Sequence, residues 1–372
     1  MIYLDSAATS FQKPVSVRNA MVNAIRSMSS PGRGGYAAAM RASDLCYDCR
    51  EAVGEMFSCE PENVVFTFNA THGLNIAIGS LVSSGDRVVV SGFEHNAVTR
   101  PLFSRGALFS VAESPLFDDK ALIERFRILL PGAKACICTH VSNVFGYILP
   151  VDDIAQLCRF FGVPLIVDAS QSAGCLPVNA AQWHAAFVAM PGHKGLLGPQ
   201  GTGLLLCNAE TNPLLFGGTG SASMCQTMPD VLPDRLEAGT HNIPGIAGLY
   251  AGLTYVRRLG TDRICRHEAR LRARFAAELN GLPGVETFLA DEDDRQSGVL
   301  SIRVRGMNCE SLAEQLGERG VAVRAGLHCA PLAHNTAGTL ETGTVRFSFS
   351  PFNTEAEIMR TAKIMREILN KT

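Results

Sequence analysis

Lys194 stands in the run Met190-Pro191-Gly192-His193-Lys194-Gly195-Leu196-Leu197-Gly198, straight after the apolar stretch Ala185-Ala186-Phe187-Val188-Ala189. A lysine that must form an imine with a carbonyl cofactor needs a tight, dry turn that holds its amine and lowers its pKa. Read alone, the same string also suits a plain surface loop. A second feature upstream favours chemistry. Val163-Pro164-Leu165-Ile166-Val167-Asp168 reads as a buried strand with an acid at its carboxyl end, which is where open α/β sheets place ligand-binding groups. An aspartate there, paired with a lysine on a later strand, is the arrangement that pyridoxal phosphate chemistry requires. The carboxylate keeps the pyridine nitrogen protonated, so that the ring can draw electrons from a substrate carbon.

The elements that must position these groups alternate along the first two thirds of the chain. Apolar, β-branched runs predict strands over 64–68, 87–90, 107–112, 135–139, 163–168, 185–189 and 202–207. Helical patterns fall between them over 71–81, 96–103, 119–130 and 153–161. Such βαβ repetition predicts an α/β fold with a mostly parallel sheet covered on both faces. A helical stretch over 246–280 then leads into a small α+β domain. Its strands are expected over 285–289, 299–304, 321–324 and 344–350, with helices over 309–317 and 354–369. The expected division is a large domain over 15–246, with 1–14 and 247–372 forming the small one.

Composition bounds the partners. The chain has 372 residues, is 47% hydrophobic and carries a net charge of -2. It can bury one large core and a smaller second one, and its charge balance gives no sign of nucleic acid or an anionic membrane as partner. No apolar run approaches the roughly 18 residues that a bilayer span needs. Met1-Ile2-Tyr3-Leu4-Asp5-Ser6 lacks the basic and apolar regions of a signal peptide. The twelve cysteines then read as reduced thiols, and the expected location is cytoplasmic. Cys46 and Cys49 lie in a helical pattern over about 36–57 with no second ligand pair to complete a zinc site. They read as packing residues, as do Cys136 and Cys138 in their strand. No metal is expected.

Several further motifs converge. They are Asn69-Ala70-Thr71-His72-Gly73, Glu94-His95-Asn96-Ala97, His140-Val141-Ser142-Asn143 and Asp168-Ala169-Ser170-Gln171. With them stand Glu237-Ala238-Gly239-Thr240-His241-Asn242, Arg324-Ala325-Gly326-Leu327-His328-Cys329-Ala330 and Val345-Arg346-Phe347-Ser348. On these the chain resembles the cysteine desulfurase and selenocysteine lyase group of the class V aminotransferases, fold-type I pyridoxal phosphate enzymes. The likeness runs nearly end to end. It is closest to the members whose active cysteine lies in an Arg-x-Gly-x-His-Cys-Ala loop.

The resemblance implies specific roles. Lys194 is the imine lysine, Asp168 holds the ring nitrogen, Gln171 the phenolic oxygen, and His95 stacks on the ring and moves protons. Thr71 and His193 reach the phosphate, with His72 beside Thr71 in the same loop. Thr240 reaches the phosphate of the neighbouring subunit's cofactor, which implies a homodimer. Asn143 touches cofactor and substrate, Arg346 grips the substrate carboxylate, and Arg324 lies close by. Cys329 takes sulfur from L-cysteine as a persulfide and releases L-alanine, with Arg324 and His328 favouring its thiolate. A sulfur-acceptor protein would then collect the sulfur. A selenocysteine lyase, a class V transaminase or β-lyase, and a non-enzymatic assembly partner remain as alternative readings. Two residues depart from the pattern. Pro191 stands where relatives carry a phosphate-binding hydroxyl, and His72 replaces an acidic residue; both bear on cofactor affinity. His140, His184 and His267 match nothing catalytic and read as structural.

Overall fold

The computed structural model describes residues 1–32 and 34–370. Seven strands form the central sheet in the order Val64–Thr67, Gly203–Cys207, Phe187–Pro191, Leu165–Asp168, Ala135–Thr139, Arg87–Ser91 and Leu108–Ala112. Gly203–Cys207 alone runs against its neighbours; the remaining pairings are parallel. Alternate residues of these strands enter two different cores. Val89, Cys136 and Val167 belong to one, and Val88, Ile137 and Ile166 to the other. A sheet buried on both faces explains why the strands read as unbroken apolar runs rather than alternating ones.

This topology decides where the chemistry sits. All strands except Gly203–Cys207 point the same way, so their carboxyl ends share one edge of the sheet. Thr71, His95, Asn143 and Lys194 each follow such an end within four residues, and Asp168 is itself one.

A second, smaller core gathers Ile2 and Leu4 with Leu271, Phe275, Leu300, Ile302, Phe347 and Met365. It covers one face of the antiparallel sheet ordered Arg324–Gly326, Thr344–Ser348, Val299–Val304, Val285–Phe288. The helical stretch expected over 246–280 is two helices, Ile243–Leu259 and Thr261–Leu279, broken at Gly260 with φ +86°, a conformation that glycine adopts freely. Ala247, Leu249 and Leu253 of the first helix pack into the large core, while Leu271 and Phe275 of the second pack into the small one. The strand expected over 321–324 also splits. Val321–Ala322 pairs in parallel with Ile2–Tyr3, while Arg324–Gly326 joins the small sheet against Thr344–Ser348. The helix Val15–Ser27, which the sequence pattern did not suggest, packs on Ile243–Leu259.

Candidate active site

The Lys194 turn is held by close backbone approach. Gly192 donates to the Thr202 carbonyl at 2.9 Å, and Gly198 to the Gly192 carbonyl at 2.8 Å. A Cβ on Gly192 would come within 2.2 Å of Thr202 Oγ1, and one on Gly195 within 2.4 Å of the Ala173 carbonyl. The crowded glycines are therefore a packing requirement of this turn. Burial lowers the half-buried Lys194 amine to about 8; Arg346 and Arg324 add to the effect, while Asp168 and Asp5 oppose it.

Lys194 borders a cleft with Asp168, His95, Asn143, Gln171, His193, Thr71 and Pro191. Asp168 is 2% exposed, and its Oδ1 accepts from Ser170 N at 2.9 Å. His95 caps the helix Asn96–Ser104 by accepting the Ala97 N–H on Nδ1 at 3.0 Å. Burial pushes its pKa down to about 4, against the pull of Asp168. At neutral pH the ring is neutral, and with Nδ1 an acceptor its proton is on Nε2. Glu94 lies fully buried beside it, accepting from Ser91 Oγ and from Thr139 N at 2.7 Å. Burial pushes this carboxyl up to about 8.

His193 reaches the cleft with Nδ1 against Thr9 Oγ1 at 3.0 Å, while its carbonyl accepts from Ser10 and Lys13. Burial holds its ring near 4, with Lys194 and Lys13 adding to the shift. Gln171 donates to the Ala7 carbonyl at 3.0 Å. Thr71 occupies the second position of the helix Ala70–Leu81 with its side chain exposed; the cap is Asn69, which accepts the His72 N–H. Thr71 is therefore free of capping duty.

Arg346 is 1% exposed. Its Nη2 pairs with Asp5 Oδ1 at 2.7 Å and its Nη1 donates to the Asn143 carbonyl at 2.9 Å. Its Nε is buried without a hydrogen-bond partner among the described residues. Two of the five N–H donors of the fork are thus committed, and Nε is among those left over.

Cys329 sits on a turn closed by Ala330 N donating to the Leu327 carbonyl at 2.9 Å. The two central residues, His328 and Cys329, have φ of +50° and +57°, a left-handed conformation that costs a non-glycine residue about 1–2 kcal/mol. The turn is stitched to the cleft on both sides. Asn143 Nδ2 donates to the His328 carbonyl at 2.8 Å, and Asn96 N to the Cys329 carbonyl at 2.7 Å. Arg324 Nη2 approaches Cys329 Sγ at 3.6 Å. Of the twelve cysteines, all among the described residues, only Cys225 and Cys329 are exposed.

Two expectations need correction. His328 is buried against Thr344, and burial lowers its pKa to about 2, with Arg346, His334 and Arg324 adding to the shift. It is neutral and brings no positive charge to the thiol; Arg324 alone does. His72 does not enter the Lys194 cleft. Its ring stacks on Phe68 at 4.6 Å, its Nδ1 accepts the Phe68 N–H, and it lines a neighbouring cleft with Thr240 and His241. Thr240, expected to reach the neighbouring subunit's cofactor, is exposed and lies outside its own chain's Lys194 cleft. Its segment is anchored by Glu237, which pairs with Arg50 at 2.8 Å and accepts the Phe66 N–H at 2.7 Å.

The other singled-out residues fall elsewhere. His140 packs edge-on against Trp183 and His267 meets the Asn353 carbonyl. Cys46 and Cys49 face the core of the helix Ala37–Phe57, and burial raises both thiols. Sequence reasoning missed the partners that hold the site: Asp5 on Arg346, Glu94 under His95, and Thr9, Ser10 and Lys13 on His193. Glu94 lay inside a motif already singled out, but nothing local pointed to its partners or to those of Asp5.

The model of the aminotransferase class-V family matches residues 2–361. A probable cysteine desulfurase of Methanothermobacter thermautotrophicus is 33% identical, covering 99% of this chain and 94% of its own. Among solved structures, a cysteine desulfurase from Thermococcus onnurineus superposes with a TM-score of 0.92 at 30% identity, covering 100% of this chain and 95% of that one. One from Escherichia coli gives 0.85 at 27% identity, covering 99% and 94%. The chain belongs to the class V aminotransferase family, whose members depend on pyridoxal phosphate.

Proposed function

We propose that this class V aminotransferase is a cysteine desulfurase, in which Lys194 and Cys329 serve the two halves of one reaction. The observation that carries this reading is that the exposed Cys329 turn is tied to Asn143, which borders the same cleft as Lys194. The turn is also bonded to Asn96.

The residues present fit the cofactor. Asp168 is the buried acceptor for a ring N–H, and the neutral His95 ring offers a stacking face. The Lys194 amine serves for the covalent link and the Gln171 amide for the phenolic oxygen. The start of the helix Ala70–Leu81, with the Thr71 hydroxyl and His193, suits a phosphate. When bound, pyridoxal phosphate supplies an electron sink that stabilises negative charge on the substrate α-carbon.

The chain's own residues do the rest. Arg346 holds the substrate carboxylate through its remaining donors, a charge-assisted contact, and Asn143 closes the pocket beside it. Lys194, with a proton affinity matched to neutral conditions, takes the α-proton and returns it. Arg324 Nη2, 3.6 Å from Cys329 Sγ, brings a positive charge beside the attacking sulfur. Cys329 Sγ attacks the substrate sulfur: an S–S bond forms as the C–S bond breaks, and the released electron pair stays with the carbon skeleton, which leaves as L-alanine once protonated. Cysteine and the enzyme thiol thus give alanine and an enzyme persulfide, with no external oxidant.

Exposure of Cys329 suits hand-over to a sulfur-acceptor protein. Thr240, lying outside its own chain's cleft, suits contact with the phosphate of a second subunit in a homodimer. Thr240→Ala should then weaken cofactor retention by about 1.5–3 kcal/mol. A monomer with full retention would remove the dimer reading.

The deciding experiment supplies purified protein with pyridoxal phosphate and L-cysteine, measures alanine, and maps the added sulfur by peptide mass. Alanine in step with a persulfide on Cys329 is expected. A keto-acid product, or sulfur mapped to another cysteine, would reject the assignment. Turnover confined to L-selenocysteine would make the protein a selenocysteine lyase instead.

A further inference from the structure

Glu268, in the helix Thr261–Leu279, is 6% exposed and forms no ion pair among the described residues. Arg272, one turn further on, is taken by Asp293 and the Gln296 carbonyl. An unpaired carboxyl is costly to bury, and this one is not adrift in apolar packing. It shares with Lys194 a cavity of about 50 Å³ whose wall includes Ser6, Ser10, Gln171 and Ser297. Lys194 and Gln171 border this cavity and the Asp168 cleft alike. Ser6 Oγ and Ser297 Oγ are buried with no hydrogen-bond partner among the described residues. A space of this size, with Glu268, Gln171 and orphaned hydroxyls on its wall, meets the conditions for holding water, which needs roughly 10–15 Å³ and two to four polar partners.

The other groups around Glu268 leave this as its one route to a function. Cys175 hydrogen-bonds to it from the loop after Leu165–Asp168. Cys265 lies one turn earlier on its own helix, and both thiols are raised by burial. Gly298 packs on the side chain so closely that a Cβ there would approach Glu268 Cβ at 2.6 Å. Across the cavity stands Lys194.

We propose that Glu268 is a positioning residue that exchanges a proton with the Lys194 amine through water held in this cavity. The proposal rests on the reading of Lys194 as the group that carries the substrate proton. In the forward step the carboxyl O–H breaks, a proton passes along the water, and an N–H bond forms, leaving carboxylate and ammonium; the return step reverses each of these. Burial raises Glu268 to about 8 and lowers Lys194 to about 8. The two groups therefore hold a proton about equally well, which is the condition for transfer in either direction.

Glu268→Gln keeps the shape and removes the titration. In cofactor-free protein, the pH dependence of Lys194 reductive methylation, read by peptide mass, gives the amine's midpoint. That midpoint should fall by about half a unit or more in Glu268→Gln, because the carboxylate that stabilises the ammonium is gone. In the loaded enzyme, kcat for alanine should drop about tenfold or more while KM for cysteine holds. Ser297→Val leaves Glu268 in place and crowds out water; it should lower kcat in the same way, and it keeps the test open should Glu268→Gln fail to fold. An unchanged lysine midpoint in folded Glu268→Gln overturns the proposal, as does a rise in KM at constant kcat. A shifted midpoint in a protein that makes no alanine would sustain the proton link and reject the desulfurase reading, so the two failures are distinguishable.

Discussion

Lys194 is held by a turn whose glycines are tightly packed, in a cleft where burial lowers its pKa to about 8. Cys329, by contrast, is exposed on a turn whose two central residues both have positive φ. The difference matches the roles proposed for the two groups. A group that accepts and returns a proton needs a depressed pKa, and burial supplies it. A sulfur that must reach the substrate and afterwards be collected by another molecule cannot be buried. Its surroundings supply charge from Arg324 and hold the turn by backbone hydrogen bonds to Asn96 and Asn143. Strain of about 1–2 kcal/mol at each left-handed residue is offset by those bonds.

The strongest test removes the buried side. Lys194→Ala should lose the borohydride-reducible link to pyridoxal phosphate and cut alanine formation on the order of 10⁴-fold; a reducible adduct that persists would place the lysine role elsewhere. On the exposed side, Cys329→Ala should keep the cofactor's absorbance, since no thiol is needed to bind it. Persulfide should vanish and alanine from cysteine should fall at least about 10³-fold. Full cysteine turnover in that variant would show that the two groups do not share one reaction.

Arg324→Ala probes the charge that the exposed side depends on. Alkylation of Cys329 should slow, with the likewise exposed Cys225 as internal control. Equal rates before and after substitution would leave the thiolate without its assigned partner.

The smallest effect spans both regions. His95, His140, His193 and His334 are held near 4 and His328 near 2, burial being the largest cause in each. Below their unfolded value of 6.5 the unfolded chain binds more protons than the folded one, so stability falls as pH drops from 6.5. Glu94 and Glu268, raised to about 8 by burial, act the other way: the folded state keeps their protons between 4.5 and 8, so stability falls as pH rises through that range. Five histidines outweigh two carboxyls below 6.5 and fade above it, which places maximum stability at about pH 6.5 to 7. A denaturant-midpoint series across pH 5 to 8 with no maximum in that interval would contradict these burials.

What the sequence determined by itself was local. Strands of β-branched residues, glycines packed round Lys194 and an acid closing Leu165–Asp168 are properties of short segments, and their periodicity and turn chemistry carry to the structure almost unchanged. The end of each parallel strand is a fixed place in such a sheet, so Asp168, His95, Asn143 and Lys194 could be assigned to one edge before any coordinates. Tertiary structure decided what depends on partners far apart in the chain. Arg346 meets Asp5 across 341 positions, His72 turns onto Phe68 and away from the cleft, and Glu268 is brought to the same cavity as Lys194. His328 reads in sequence as a cation beside the active thiol, yet it is neutral, because protonation depends on how deeply a ring is buried and on which charges surround it. Those are properties of packing, which no short stretch of sequence encodes.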